Sequence, residues 1–260
     1  MGYVASIVIP LRRQVDQYLD QCVRSALAQT VPTEVIVVRS DVTPPSNLAL
    51  LERLQREHAQ LSVVPRRKSG NFPNALNVGI ECAQTARVGF LLSDDWLSTE
   101  AVAECLGETA DIVSTSMTFY FPDGRINHAA SRMRTMAQFL SRPTLEEKAI
   151  DVGYFMLFQR ELAARIGLDE TLGNYPGIDD YDFVWTLLEH GATVAFVEKR
   201  LYHYRDHDGE RLTLADPEQA IRNLEKILKK HGIVGEEAEK LIKRYARWFG
   251  RPVYQVMGLG

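Results

Sequence analysis

Short apolar runs alternate with amphipathic segments along the first hundred residues of the chain. Four runs are short and apolar enough to predict strands buried on both faces: Tyr3–Ile9, Glu34–Val38, Leu61–Val64 and Arg87–Leu92. The segments between them carry apolar residues at helical spacing, after Val15, after a capping Ser46 and from Pro73. This rhythm predicts an α/β fold with a doubly wound, mostly parallel sheet.

The second half of the chain is less regular. Its predicted strands are Ile112–Phe121, Val152–Phe158, Val194–Val197 and Leu201–Arg205, and its predicted helices are Ser98–Leu106, Glu161–Ile166, Asp182–His190, Pro217–Lys230 and Glu236–Phe249. The polar segment Arg125–Asp151 has no clean period and predicts loops and short helix. We therefore expect a domain over residues 1–215, with halves 1–97 and 98–215, followed by a helical appendage over 216–260.

Composition excludes several classes of protein. The 260 residues include 30 Lys and Arg against 34 Asp and Glu, a formal net charge of −4, which argues against a nucleic-acid partner. With 45% hydrophobic residues the chain is neither disordered nor fibrous. Its three cysteines have no paired spacing, so they predict no zinc site. No targeting segment is evident, and a cytoplasmic protein is expected.

Polar residues follow the predicted parallel strands, at the edge where open sheets bind ligands. They lie at Leu11–Arg13, Arg39–Asp41, Lys68–Asn71 and Ser93–Trp96. In the last of these, Asp94 and Asp95 are adjacent carboxylates that repel each other. A Mg²⁺ or Mn²⁺ ion, which prefers hard oxygen ligands, would reduce that repulsion by binding between them. A capped turn before the next helix explains the pair equally well.

Two further clusters are candidates for chemistry. Asp179, Asp180 and Asp182 precede a predicted helix, where one carboxylate suffices for capping; three suggest that one transfers a proton or binds metal. The segment Tyr202–His207 places two histidines around Arg205 at a strand end, where they can reach an anion or a metal. Glycine-rich dinucleotide and phosphate loops and the Gly-x-Ser-x-Gly hydrolase motif are absent from the sequence.

Taken in order, these segments resemble the family 2 glycosyltransferases of the GT-A fold, which is Rossmann-like. The similarity extends roughly from Tyr3 to Leu214. It is carried by Ser6–Pro10 with Cys22–Thr30 and Glu34–Val38, by Asn74–Ile80 with Val88–Asp95, by Gly167–Glu170 with Asp179–Asp182, and by Leu201–His207.

The resemblance implies transfer of a sugar from a nucleotide-sugar donor to an acceptor hydroxyl, with inversion in a single displacement. Asp180 matches the base that takes the hydroxyl proton, and Asp94 matches the first metal ligand, with Asp95 and His207 as further candidates. Arg205 is expected to clamp phosphate oxygens. The implied donor-binding residues are Pro10, Leu11, Arg12, Arg39, Asp41, Lys68, Asn71, Asn74, Ser93 and Arg205. Trp96, Asp179 and Asp182 are expected to support the site or to contact the acceptor.

The sequence departs from the family pattern at three places. Leu92 stands where the metal motif usually has its first acid, so Asp94 takes the main metal role. Arg39 and Ser40 replace an acid pair that often binds uracil, which argues against a uridine donor. Leu11-Arg12 replaces a common aromatic-Asn pair.

Two rival functions and several partners stay open. A non-catalytic nucleotide-sugar-binding module is suggested by the missing first acid, and a nucleotidyltransferase also combines a wound sheet with carboxylate-bound metal. The acceptor is a glycan, a lipid-linked molecule or a small molecule, and a homodimer is not excluded. The basic amphipathic stretch 239–251 fits either a peripheral membrane contact or a helix docked on the domain.

Overall fold

The computed structural model describes residues 2–153, 155–173, 178–207, 209 and 212–258. Within these ranges the strands are β1 Ala5–Leu11, β2 Thr33–Arg39, β3 Leu61–Pro65, β4 Arg87–Phe90, β5 Trp96–Leu97, β6 Ile112–Tyr120, β7 Ile126–Asn127, β8 Met156–Gln159 and β9 Val194–Arg205. The helices are α1 Asp16–Leu27, α2 Pro45–Glu57, α3 Phe72–Cys82, α4 Ala101–Leu106, α5 Met136–Ser141, α6 Leu145–Asp151, α7 Arg160–Ile166, α8 Asp179–Glu189, α9 Leu212–Ala215, α10 Pro217–Lys230, α11 Glu236–Ala246 and α12 Val253–Val256.

The strands form one sheet in the order β3-β2-β1-β4-β8-β6-β9-β5, with β7 paired to β6. The first four strands of the chain are parallel neighbours, as the alternating pattern predicts. Strand β8 runs antiparallel to both β4 and β6, whereas β9 runs parallel to β6. The expectation of a wound, mostly parallel α/β sheet is confirmed.

Several element boundaries differ from the sequence expectation. One strand, β9, contains both Val194–Val197 and Leu201–Arg205. Its pairing with β6 shifts register beside Ser116, which accommodates the exposed residues between the two runs. Ser46 does not cap α2, because that helix starts at Pro45. Gly191 ends the α8 segment with a positive φ of 79°, as expected.

The polar segment before residue 151 forms loops and two short helices, as the sequence predicts. Thr135 caps α5 by accepting the amide of Gln138, and Thr144 caps α6 by accepting the amide of Glu147. Both follow the Thr-x-x-Glu/Gln spacing of a capping box. The sequence therefore contained a helix signal that hydrophobic periodicity does not detect in helices of two turns.

The hydrophobic core has two parts, one on each side of the sheet. Along β1, Val8 belongs to one part, whereas Ile7 and Ile9 belong to the other, as alternation along a strand requires. Helices α1, α2 and α4 cover the Ile7 side, and α3, α7, α8 and α10 cover the Val8 side.

The C-terminal helices pack onto the Val8 side of this core. Leu224 and Ile227 of α10 are buried in it, and Leu241 and Ile242 of α11 pack against it. The apolar side of the stretch 239–251 is thus turned toward the domain, which favours the docked-helix alternative. Among the described residues, no helix is both long and apolar enough to cross a membrane.

Helix α3 approaches β1 closely through Gly79. A methyl group added at Gly79 would overlap the Val8 side chain. Replacing a helical glycine by alanine ordinarily stabilises a helix, but overpacking a core costs about 1–3 kcal/mol. We expect Gly79→Ala to lower the free energy of unfolding by about 1–2 kcal/mol, measured by urea denaturation.

A double-mutant cycle provides the control for this prediction. Because Val8→Ala removes the overlapping methyl groups, Gly79→Ala should cost less in that background than in wild type. Equal costs in the two backgrounds would contradict the close approach as the cause.

Candidate functional site

The turn after β4 holds Asp95 inside the protein. Asp95 is 1% exposed, and its carboxylate accepts hydrogen bonds from the Tyr202 hydroxyl and, at 2.7 Å, from the Arg205 amide. Tyr202 and Arg205 both lie on β9. The Asp95 carboxylate therefore links the turn to β9. Because its oxygens already accept these hydrogen bonds, Asp94 is the better candidate of the two for contact with a ligand.

Asp94 is only partly buried and faces His207. Its Oδ2 lies 3.2 Å from His207 Nε2. The Gly209 amide donates to Nδ1 of the same ring at 3.2 Å, so Nε2 carries the proton and donates it to Asp94. In this arrangement His207 orients the Asp94 carboxylate. Its expected role as a direct metal ligand would require the ring to exchange tautomers and to lose the Gly209 bond.

Arg205 supports the same turn from outside. Its guanidinium lies 4.0 Å from the Tyr18 ring centroid and 4.7 Å from that of Trp96. Its Nε donates to the Asp94 carbonyl at 2.9 Å, and Nη2 donates to Gln21 at 2.6 Å. Through these contacts Arg205 stabilises the backbone at Asp94. Its expected role in clamping phosphate oxygens stays a prediction.

The Asp94 carboxylate fits a metal that takes its remaining ligands from a substrate. Among the residues that the structure describes, no three His, Cys, Asp or Glu side chains cluster as a protein-only metal site. Mg²⁺ is commonly held by one or two carboxylates together with substrate phosphates. A single well-placed carboxylate is compatible with that mode of binding.

Trp96 and Ser93 flank the two acids on the chain. Trp96 stacks on His203 with ring centroids 5.1 Å apart and planes 11° from parallel, and it also contacts Tyr120. Ser93 accepts a hydrogen bond from the Gln14 side chain at 3.4 Å, which ties the turn to the segment after β1. Trp96 thus has a clear supporting role, and contact with an acceptor stays a prediction.

The ends of β1, β2 and β3 form a basic edge. Pro10 and Leu11 are buried, Arg12 and Lys68 are exposed, and Arg39 is partly buried at the end of β2. Asp41 forms a 2.9 Å ion pair with Arg66, and this bond lowers the pKa of the Asp41 carboxyl. The acid nearest the expected nucleobase position is therefore engaged by a cation.

Asn71 and Asn74 hold the loop that precedes α3. Asn71 caps α3 by accepting the Asn74 amide at 3.0 Å and also donates to the Glu170 carbonyl. Asn74 is buried and donates to the Glu170 carboxylate at 3.1 Å, which Asn77 also contacts at 3.0 Å. These bonds join two of the motifs that carry the family resemblance. They make both asparagines structural, and contact with a donor stays a prediction for them.

Asp180 lies in the first turn of α8 and lines a partly open cavity of about 270 Å³. Burial raises the pKa of the Asp180 carboxyl, while the Tyr181 amide and the charge of Arg134 oppose that rise. Arg134 lines the same cavity. A partly buried carboxylate with a raised pKa in a cavity has the properties of a general base.

The two acids beside Asp180 have structural partners. Asp179 is buried, and its carboxylate accepts the Asp180 amide at 3.2 Å. Asp182 is buried and binds Lys230 at 2.7 Å and His231 at 3.0 Å, at the end of α10. Both observations agree with the expected supporting roles, and Asp182 supports the C-terminal helices in particular.

The topology brings the Asp94 turn and the Asp180 cavity to the same edge of the sheet. Strand β8 runs antiparallel to β4, with Leu157 opposite Gly89, so the residues before β8 lie beyond the carboxyl end of β4. Gly153, one of these residues, lines the cavity that contains Asp180. Asp94 follows the same end of β4.

Sequence patterns missed several residues of this cavity. Arg134 lies in the segment that the sequence predicts as loops and short helix, and Tyr245, Trp248 and Phe249 lie in the C-terminal extension. From the sequence, these aromatic residues indicate only a membrane contact or a docked helix. The capping signals at Thr135 and Thr144 are the local features that could have indicated an ordered wall here.

Comparison of the sequence with known proteins identifies relatives of this chain. The family model described as glycosyl transferase family 2 matches residues 6–167, which is more than half of the chain. The chain is 26% identical over 219 residues to the uncharacterized glycosyltransferase EpsJ of Bacillus subtilis (strain 168), covering 78% of this chain and 61% of EpsJ. It is 24% identical over 203 residues to the O-antigen biosynthesis protein RfbC of Myxococcus xanthus, covering 77% of this chain and 16% of RfbC. The chain thus spans about three fifths or less of these relatives.

Solved structures share the fold. S. aureus TarS 1-349 in complex with UDP-GlcNAc superposes with a TM-score of 0.67 at 18% identity, covering 94% of this chain and 72% of that one. The mannosyltransferase PcManGT from Pyrobaculum calidifontis, in complex with GDP-Man and Mn²⁺, superposes with a TM-score of 0.65 at 17% identity, covering 94% of this chain and 69% of that one. These neighbours confirm the GT-A type of fold.

Proposed function

The chain belongs to glycosyl transferase family 2, and from this premise we propose that it transfers a sugar from a nucleotide-sugar donor to an acceptor hydroxyl. Solved neighbours of the same fold carry UDP-GlcNAc in TarS and GDP-Man with Mn²⁺ in PcManGT, which supports a donor of this class. The observation that carries the proposal is the cavity around Asp180, at the sheet edge where Asp94 follows β4.

In the proposed reaction Asp180 takes the proton from the acceptor hydroxyl. Its raised pKa brings its basicity closer to that required near neutral pH. The hydroxyl oxygen then attacks the anomeric carbon, and the bond from that carbon to the nucleoside diphosphate breaks. A single displacement of this kind inverts the configuration at the anomeric carbon.

The donor's diphosphate is proposed to lie beside Asp94, with His207 fixing the orientation of that carboxylate. Arg205 holds the backbone of the turn through the Asp94 carbonyl. A divalent cation bound by Asp94 and the diphosphate would supply charge neutralisation for the leaving group. The basic edge at Arg12, Arg39 and Lys68 is proposed to attract the anionic donor.

A screen of nucleotide sugars tests this function. UDP-, GDP-, dTDP- and CMP-sugars are incubated with the protein and Mn²⁺, and release of the nucleotide is measured with and without a panel of hydroxyl acceptors. We expect turnover with at least one donor that increases with an acceptor. Tight nucleotide binding without turnover of any donor would instead favour the non-catalytic binding module.

Asp94→Ala is expected to remove the dependence of donor binding on metal. Wild type should bind the nucleoside diphosphate of its donor at least about tenfold more tightly with Mn²⁺ than with EDTA, and the variant should bind equally under both conditions. Isothermal titration calorimetry measures both. Asp41→Ala, at the basic edge and away from the metal ligand, is the control that should keep the Mn²⁺ effect. An unchanged Mn²⁺ effect in Asp94→Ala would assign the ligand role elsewhere.

A further inference from the structure

The C-terminal extension forms one wall of the cavity that contains Asp180. Tyr245 of α11 and the two residues Trp248 and Phe249 after that helix line the cavity together with Asp180 and Tyr181 of α8. These three residues lie outside the 6–167 range that the family model matches. The wall is therefore a feature of this chain beyond the matched region.

Two sets of contacts fix this wall relative to Asp180. Glu146 is 4% exposed, and its carboxylate accepts hydrogen bonds from the hydroxyls of Tyr181, at 3.0 Å, and Tyr245. Burial raises the pKa of both tyrosines, so both hydroxyls remain protonated and donate. The carboxylate thus joins α11 to the residue next to Asp180.

The second set of contacts lies at the end of α10. Lys230 and His231 bind Asp182, and the His231 ring stacks on Trp185 with centroids 4.0 Å apart and planes 5° from parallel. Tyr181 and Asp182, the two residues after Asp180 in the chain, both hold the C-terminal helices. The aromatic wall consequently has a defined position beside the proposed base.

The chemistry of the cavity is apolar apart from a few groups. Arg134 and Asp180 are its charged residues among those described, and aliphatic and aromatic side chains make up most of the rest. A sugar ring buried there would leave hydroxyl groups without hydrogen-bond partners, which is costly. The volume of about 270 Å³ is just below the range of about 300–1,000 Å³ that is typical of small-molecule pockets, so one group of a ligand fits.

We propose that this cavity receives an alkyl or aryl group of the acceptor next to the reacting hydroxyl, and that Trp248 is a specificity-determining residue for that group. The acceptor is then an amphiphile whose apolar part lies against Trp248 and Phe249 while its hydroxyl reaches Asp180. This inference rests on the proposed glycosyl transfer and names the acceptor class for it.

Matched acceptors test the proposal. Methyl and octyl glycosides of the same hexoses differ only in the apolar group, and KM and kcat are measured for each pair with the donor found by screening. In wild type, the octyl glycoside of the accepted sugar should have a KM at least about tenfold lower than its methyl partner. Trp248→Ala should bring that ratio close to one, mainly by raising the KM of the octyl glycoside.

Two further variants separate specificity from folding. Trp248→Phe keeps an aromatic wall and should retain most of the octyl preference. Lys243→Ala changes an exposed residue of α11 and should leave the preference intact. Thermal unfolding of each variant tests whether the fold is preserved. A wild-type ratio near one, or an unchanged ratio in a folded Trp248→Ala variant, would overturn the proposal.

A binding measurement keeps this inference distinct from the proposed function. Octyl glucoside below its micelle concentration is titrated into wild type and Trp248→Ala by calorimetry. Binding to wild type that weakens at least about fivefold in Trp248→Ala supports the apolar subsite, whether or not a donor is turned over. Failure to turn over any donor would contradict only the transferase proposal. Equal binding to both proteins contradicts the subsite whatever the turnover shows.

Discussion

Asp180→Asn is expected to lower kcat by about 10²- to 10⁴-fold, the usual contribution of a general base, while donor affinity stays near that of wild type. The amide cannot accept the hydroxyl proton, yet it nearly preserves the shape of the carboxyl group in the cavity. Steady-state kinetics give kcat, and calorimetry with the nucleoside diphosphate gives affinity. A variant that keeps the wild-type rate would remove the base assignment.

The same substitution should not weaken the fold at pH 7. Burial raises the pKa of Asp180 in the folded protein, so the folded state binds its proton more tightly than the unfolded state does. The free energy of unfolding therefore falls as pH rises from the unfolded pKa through the folded one. Charging the partly buried carboxylate is therefore unfavourable in the folded protein, and because the amide carries no charge, Asp180→Asn should unfold at the same or a higher temperature.

The pH dependence of activity follows from the same shift. Because the base must be deprotonated, kcat of wild type should fall as pH drops through the raised pKa of Asp180, at a higher pH than for an ordinary aspartate. Asp182→Asn, which alters a neighbouring acid paired with Lys230 and His231, is the matched control. Asp182→Asn should keep the fall of kcat at acidic pH. A control variant in which that fall disappears would contradict its assignment to Asp180.

Asp95→Leu is expected to be the most destabilising of the substitutions considered for the site. It removes the acceptor of the Tyr202 hydroxyl and of the Arg205 amide. The Tyr202 hydroxyl is buried and the Arg205 amide is partly buried. A donor left without a partner inside the protein costs about 1–3 kcal/mol, so the free energy of unfolding should fall by up to about 6 kcal/mol. That is a large part of the 5–15 kcal/mol typical of a domain. Urea unfolding measures it.

A surface acid provides the comparison for Asp95. Asp20 forms an exposed ion pair with Arg24 at 3.0 Å, and such pairs contribute about 0–1 kcal/mol. Asp20→Leu should therefore change stability by no more than about 1 kcal/mol. Similar small losses in both variants would show that Asp95 is not the structural anchor of the turn.

The parallel half of the sheet was predictable because each of its strands is a continuous apolar run between turns. The two halves of strand β9 were predictable as well, but their continuity was not, because exposed residues between Val197 and Leu201 interrupt the pattern and only pairing with β6 makes the strand continuous. Short helices such as α5 and α6 carry too few turns for a periodicity signal. Their N-terminal caps, Thr135 and Thr144, are the local information that remained.

The candidate site shows the same division. Asp94 could be selected from the sequence because it follows a predicted strand, and Asp180 could be selected because the family resemblance matches it to the base. The choice of Asp94 over Asp95 came from the family resemblance alone, because its structural reason lies in Tyr202 and Arg205, more than a hundred positions away in the chain. The cavity wall at Trp248 likewise depends on tertiary packing of the C-terminal helices.

Family membership and geometry together bear on the rival functions. The match to glycosyl transferase family 2 leaves the nucleotidyltransferase hypothesis without support. The non-catalytic binding module needs a donor site but has no use for a carboxylate whose pKa is raised in a neighbouring cavity. That carboxylate favours catalysis.

One structure determination addresses most directly whether the two acidic clusters serve a single reaction. Crystals of Asp180→Asn, soaked with Mn²⁺ and the intact donor identified by screening, should retain the unreacted nucleotide sugar. We expect the diphosphate and Mn²⁺ at Asp94, with the anomeric carbon turned toward residue 180 and the Trp248 wall. A sugar bound with its anomeric carbon facing away from that cavity would contradict it.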